Sequence, residues 1–175
     1  MRLLSQISHY IYKYIGYLDT MHTNAISVLR FALKGPVDVI DLIEKVGIHP
    51  WQIYSHIRSL RQKDFVILEG RFIRLRNDWK ARLLNEAAKD ADITKILYES
   101  NEEIISFLTE PITIKEIVQR SGHSRATVYR AIADFNAIGI IRKVFRGYVL
   151  IDEKPAVVNF AKWLESERKE QEALR

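Results

Sequence analysis

The sequence predicts a mainly α-helical chain with small β-hairpins, an α+β molecule in which one small unit occurs twice in tandem between an N-terminal and a C-terminal helix. Three observations predict it. Segments beginning at Pro36 and Pro111 run together without a gap for about thirty residues. Each carries helix start and stop signals at matching positions. Each is followed by two β-branched, aromatic-rich stretches around glycine and arginine, the pattern of a hairpin.

The chain opens with "RLLSQISHYIYKYIGYLD", in which Leu3, Ile7, Tyr10, Tyr14 and Tyr17 recur at alternating steps of four and three. Leu4, Ile11, Ile15 and Leu18 widen that face beyond what an isolated helix keeps in water, so residues 1–22 are expected to form a helix covered by the first unit, the C-terminal helix or another subunit. A homodimer is the expectation drawn from it. A second helical segment spans roughly Thr23 to Leu33, and the first unit is placed at 23–78.

Within that unit, "PVDVIDLIEKVGIHPWQIYSHIRSLRQKDFVI" aligns with the later "PITIKEIVQRSGHSRATVYRAIADFNAIGIIR". Few residues are identical, but apolar classes agree: Val39 with Ile114, Leu42 with Ile117, Ile53 with Val128, Leu60 with Phe135 and Phe65 with Ile140. Asp38 with Asp41, and Thr113 with Glu116, have capping-box spacing and open a short helix. Gly47 and Gly122 follow its last apolar residues, where a left-handed C-terminal position suits glycine. Pro50 and Ser124 start a second helix, proline being tolerated in a first turn and serine being a good N-cap. Ile53, Ile57 and Leu60, like Val128, Ile132 and Phe135, form one buried stripe along it. The hairpins are "DFVILEGRFIRLR" and "IGIIRKVFRGYVLI".

Between the units, residues 79–100 lack glycine and proline and read as a helical connector with a break near Asp90 and Asp92. The second unit is placed at 101–152, its leading helix over roughly Asn101 to Leu108. A C-terminal helix follows over 153–175, with Val157, Phe160, Ala161 and Leu164 at helical spacing, for dimerisation or for packing within the molecule.

Composition favours a polyanionic partner. The chain has 175 residues, a formal net charge of +5, 47% hydrophobic residues and no cysteine. A disulfide framework and thiol chemistry are therefore excluded, and nucleic acid is the first partner to consider. No run approaches the roughly 18 apolar residues of a membrane span, so a cytoplasmic, nucleoid-associated protein without membrane contact is expected.

The order helix, helix, turn, helix, hairpin, with "RATVYRA" opening the second helix, resembles the tandem winged helix-turn-helix DNA-binding proteins common among archaeal and bacterial transcription regulators. The resemblance covers both units, about two thirds of the chain. It implies that the second helix of each unit enters the major groove, with its N-terminal residues at the base edges. In the second unit, Arg125 and Arg130 can then fork onto guanine or phosphate, Thr127 can bond a base or pack on a thymine methyl, Tyr129 can reach a phosphate, and Ser124 serves as cap and phosphate ligand. Lys143 and Arg146 belong to the hairpin, with Arg142, and Arg146 stands beside Gly147 at its tip. A solvated surface is the plainer account of such arginines.

The first unit is a poorer reader. It offers Gln52 for adenine, Tyr54 and Ser55 on the same helix, and Arg71 at its hairpin, with added positive charge from Arg74 and Arg76. Trp51 fits a protein contact better than a base. No catalytic constellation, cofactor site, metal spacing or small-molecule pocket is read in the sequence. The histidines at 49 and 123 read as solvated turn residues. A dimeric, sequence-specific regulator binding double-stranded DNA is therefore expected. The alternatives are a tandem winged-helix adaptor for protein contacts, as in chromosome segregation or polymerase-associated assemblies, and a plasmid or viral replication initiator.

Overall fold

The computed structural model describes residues 23–98 and 100–174. The helix expected over residues 1–22 lies outside them. The described chain is mostly helical with small antiparallel sheets. In order it forms α1 (Thr23–Leu33), β1 (Val37–Asp38), α2 (Val39–Val46), α3 (Pro50–Gln62), β2 (Val66–Glu69) and β3 (Phe72–Leu75). Then come α4 (Trp79–Asp90), α5 (Ile93–Leu97), α6 (Asn101–Ile105), α7 (Ile114–Ser121), α8 (Arg125–Ala137), β4 (Ile141–Val144), β5 (Gly147–Leu150) and α9 (Pro155–Ala173).

The elements α2, α3, β2 and β3 return as α7, α8, β4 and β5, each displaced by 75 positions: 39 to 114, 50 to 125, 66 to 141 and 72 to 147. Backbone details follow the same displacement. Gly47 and Gly122 both close their helices in the left-handed region, at φ 70 and 72. After the second helix of each unit the chain turns through Asp64 (φ 60) or Gly139 (φ 63). The short β1 pairs Val37 with Ile73, and the matching contact in the second unit is the bridge between Ile112 and Tyr148.

Helix starts account for much of the local order. Thr113 and Glu116 form the expected capping box, the Glu116 carboxylate accepting from the Thr113 N–H at 2.9 Å and the Thr113 hydroxyl accepting from the Glu116 N–H at 3.2 Å. Asp38 behaves differently. It accepts from the Ile40 N–H at 2.9 Å, and its other oxygen meets the Arg71 guanidinium at 2.6 Å, so the cap is a single side-chain bond with an ion pair beside it rather than the capping box expected with Asp41.

The stripes of both units enter one contiguous core, with Ile53, Ile57, Leu60, Val128, Ile132 and Phe135 buried. The apolar stripe of α9, Val157, Phe160, Ala161 and Leu164, is buried within the molecule and packs mainly on α4. Trp163 of α9 stands edge-on to Phe65 of the first unit and to Trp79, at 6.2 and 6.0 Å between ring centroids. On the other side of the chain, Arg168 lies 4.1 Å over the Phe107 ring and donates to the Ser106 hydroxyl, while Glu165 accepts from Thr109 at 2.9 Å. Lys63 adds a direct ion pair to Glu102 at 3.0 Å. Both units are therefore tied to one C-terminal strap.

Candidate nucleic-acid interface

The second helix of the second unit begins with a well-made cap. Ser124 has extended backbone angles, and its hydroxyl accepts from the Thr127 N–H at 3.1 Å while lying 2.9 Å from the Thr127 hydroxyl. Val128 points into the core at the next position, which leaves Arg125, Tyr129 and Arg130 exposed and Thr127 half-buried. The Arg125 guanidinium sits 5.5 Å from the Tyr129 ring centroid and donates to its hydroxyl at 3.2 Å. Tyr129 is 47% exposed. Its ring and hydroxyl form a platform for Arg125 on the exposed side of the helix.

The helix is braced from beneath. Asp134 accepts from Lys95 at 2.7 Å and from the buried Asn101 amide at 3.3 Å, and the Asn101 amide also donates to the Lys95 carbonyl. The Asp134 carboxylate holds the Lys95 ammonium above its usual pKa. His123, read from sequence as a solvated turn residue, is 2.9 Å from Glu103 through Nε2, so the turn before α8 is fastened to α6. The contacts of Asp134 and of His123 link residues 20 or more apart in the chain, which no local pattern announces.

The hairpin adds positive charge, little of it opposed locally. Lys143 and Arg146 are exposed, and among the described residues neither makes an ion pair. Arg142 reaches Asp152 at 3.8 Å. At Gly147 an added Cβ would lie 1.9 Å from the Ile112 carbonyl oxygen, because β5 is drawn against that residue by paired backbone bonds from Tyr148 and Ile112 at 2.9 and 3.0 Å. The glycine seats the hairpin on the residue before the α7 cap.

The first unit uses the matching positions otherwise. His49, not an Asx or Ser residue, caps α3: its Nδ1 accepts from the Trp51 N–H at 3.4 Å, and Gln52 accepts from the His49 N–H at 3.1 Å. The Gln52 carbonyl is thus engaged by the cap, which leaves its amide fork less free for adenine than the sequence implies. Tyr54 and Ser55 are exposed, as is Trp51 at 64%. The charge counted here from sequence is largely offset. Arg71 pairs with Asp38, Arg74 pairs with Glu69 through two bonds of 2.9 and 2.6 Å, and Arg76 pairs with Asp64 and Asp78. The Arg74 hydrogen bond holds Glu69 below the usual carboxylate range.

Among the described residues no cluster of acidic residues, histidine or cysteine is placed to hold a metal ion, and no helix is long and apolar enough to cross a membrane. No family model and no curated protein matches the chain. Among solved structures it is similar to the mRNA-binding domain of elongation factor SelB from E. coli, in complex with SECIS RNA, at 16% identity over 74% of this chain and 98% of that chain, with a TM-score of 0.26. A likeness at that level carries no weight for fold or activity.

Proposed function

We propose that the chain is a sequence-specific double-stranded DNA-binding protein with two winged helix-turn-helix domains, 23–78 and 101–152, joined by the helical connector 79–100. In this reading it acts as a homodimeric transcription regulator at the nucleoid. The observation that carries the reading is the difference in charge pairing between the units. The second presents Arg125 on a tyrosine platform, with Lys143 and Arg146 free of ion pairs among the described residues, whereas the arginines of the first hairpin face carboxylates.

On this account α8 lies in the major groove. Arg125 and Arg130 supply forked donors to guanine or phosphate, Thr127 contacts a base, and Tyr129 holds Arg125 extended while offering its hydroxyl to a phosphate. Ser124 keeps the helix start in register, and Lys143 and Arg146 follow the backbone from the hairpin. In the first domain, Tyr54 and Ser55 make auxiliary phosphate contacts, Arg71 joins them only through the donors that its pairing with Asp38 leaves over, and Gln52 acts mainly through the cap.

A salt-titrated binding measurement on duplex DNA tests the reading. Affinity should fall steeply as salt rises, because each lysine or arginine on a phosphate releases a condensed counterion. Absence of binding at about 50 mM salt, where such contacts are strong, would transfer the function to a protein-binding adaptor. Ile40, Trp51, Tyr54 and Phe72, all exposed on the first unit, favour that second reading for the first domain.

A further inference from the structure

The two hairpin tips differ at one position that the repeat otherwise equates. Between β2 and β3 the two-residue loop is Gly70-Arg71, and between β4 and β5 it is Phe145-Arg146. Phe145 is 99% exposed, the most exposed of the large apolar side chains described. Its backbone does not enter the left-handed region that Gly70 occupies at φ 59, so the turn accepts a polar side chain there as readily. Folding therefore gives no reason for a phenyl ring at this point.

The surroundings narrow what such a ring meets. Lys143 and Arg146 are exposed beside it in the same hairpin, Arg142 is exposed and reaches Asp152 at 3.8 Å, and residues 140–150 themselves contain no acidic residue. The ring is also held on a firm base, since the Gly147 approach to Ile112 and the paired Tyr148 and Ile112 backbone bonds anchor the hairpin immediately behind the loop. A rigid apolar blade flanked by cations matches a base step flanked by phosphates. Phenylalanine is one of the residues that architectural DNA-binding proteins push between base pairs, partly unstacking them and bending the duplex.

We propose that Phe145 is a wedge that enters one base step of duplex DNA, with Lys143 and Arg146 on the adjoining phosphates. This inference rests on the DNA-binding reading of the second unit. At the residue level it assigns Phe145 a contact with the bases that no other hairpin residue makes, and the Gly70 tip cannot perform it.

The test uses the full chain, a site selected from random duplexes, 2-aminopurine placed at successive positions of that site, and donor and acceptor dyes at the duplex ends. Wild-type protein should raise 2-aminopurine emission at one step and shorten the end-to-end distance. Phe145→Ala should lose both signals and bind about tenfold more weakly, the range expected for one base–aromatic contact, with unchanged circular dichroism because the ring is not packed in the fold. Phe145→Trp should retain both signals and show quenched indole emission on binding. If Phe145→Ala binds as wild type and gives the same fluorescence and bend, the wedge is refuted while the DNA-binding reading stands. If the wild type binds no duplex at low salt, that reading itself falls. Dependence on Phe145 confined to single-stranded probes, or to phosphatidylserine vesicles, would also overturn insertion into a duplex.

Discussion

Arg125 and Tyr129 show how a single contact can sort hypotheses about a helix face. A guanidinium stacked on a ring is pre-oriented, so its fork meets a base edge with less loss of side-chain freedom. Arg125→Ala and Arg130→Ala should each lower affinity for the preferred site by about 1–3 kcal/mol if they read a base. Arg146→Ala should instead weaken all sequences alike and reduce the salt slope by about one unit. Fluorescence anisotropy on a selected and a random duplex, over a salt series, separates the two outcomes. At this scale sequence was informative where a side chain acts on its own neighbours: Ser124 caps α8 from the position its type implies. It was silent on Arg74 and Arg76, because their acidic partners Glu69, Asp64 and Asp78 are brought in by the hairpin and the turns beside it, and a count of basic residues does not see them.

Among the elements, the hairpins and the helix caps give the clearest tests. Gly147→Ala would press a Cβ onto the Ile112 carbonyl at 1.9 Å and should destabilise the fold by about 3 kcal/mol, near the upper end for overpacking. Gly70→Ala meets nothing within 4 Å and carries only the strain of φ 59, about 1 kcal/mol. Urea unfolding of both variants checks the contrast. The Thr113 bonds hold the Glu116 carboxylate below the usual range, so the stabilisation is present above the unfolded-state pKa and is lost as pH falls through the folded one. The stability difference between wild type and Glu116→Gln should therefore shrink toward zero on acidification, read from unfolding midpoints across a pH series. Most elements were legible because apolar spacing, Gly47, Gly122 and Thr113 each act within one or two turns of helix. The cap at His49 was not, since histidine is not among the usual capping residues. The role of Gly147 was legible only as a turn, because the close approach of Ile112 comes from sequence far upstream.

For the molecule as a whole, the decisive element is α9. Trp163 meets Phe65 and Trp79, while Arg168 and Glu165 reach Phe107, Ser106 and Thr109. Trp163 is partly buried, so Trp163→Ala should lower stability by about 2 kcal/mol, below the range for a fully buried aromatic truncation, and should weaken both units together in a single unfolding transition followed by calorimetry. The wide apolar face of residues 3–18 motivates a dimer, so light scattering should report a dimer for the full chain and a monomer for a chain starting at Thr23. From sequence, the α9 stripe was evident but its destination was open, since periodicity defines a buried face and not what buries it. The position of that strap sets a schedule for synthesis. Chains emerge from the ribosome N-terminus first, so the first unit is complete in sequence long before Trp163 exists to cover the Phe65 ring, which is 1% exposed in the finished fold. Until the last stretch is translated, that aromatic surface waits open, and a stalled or truncated product is the form that chaperones and proteases should recognise.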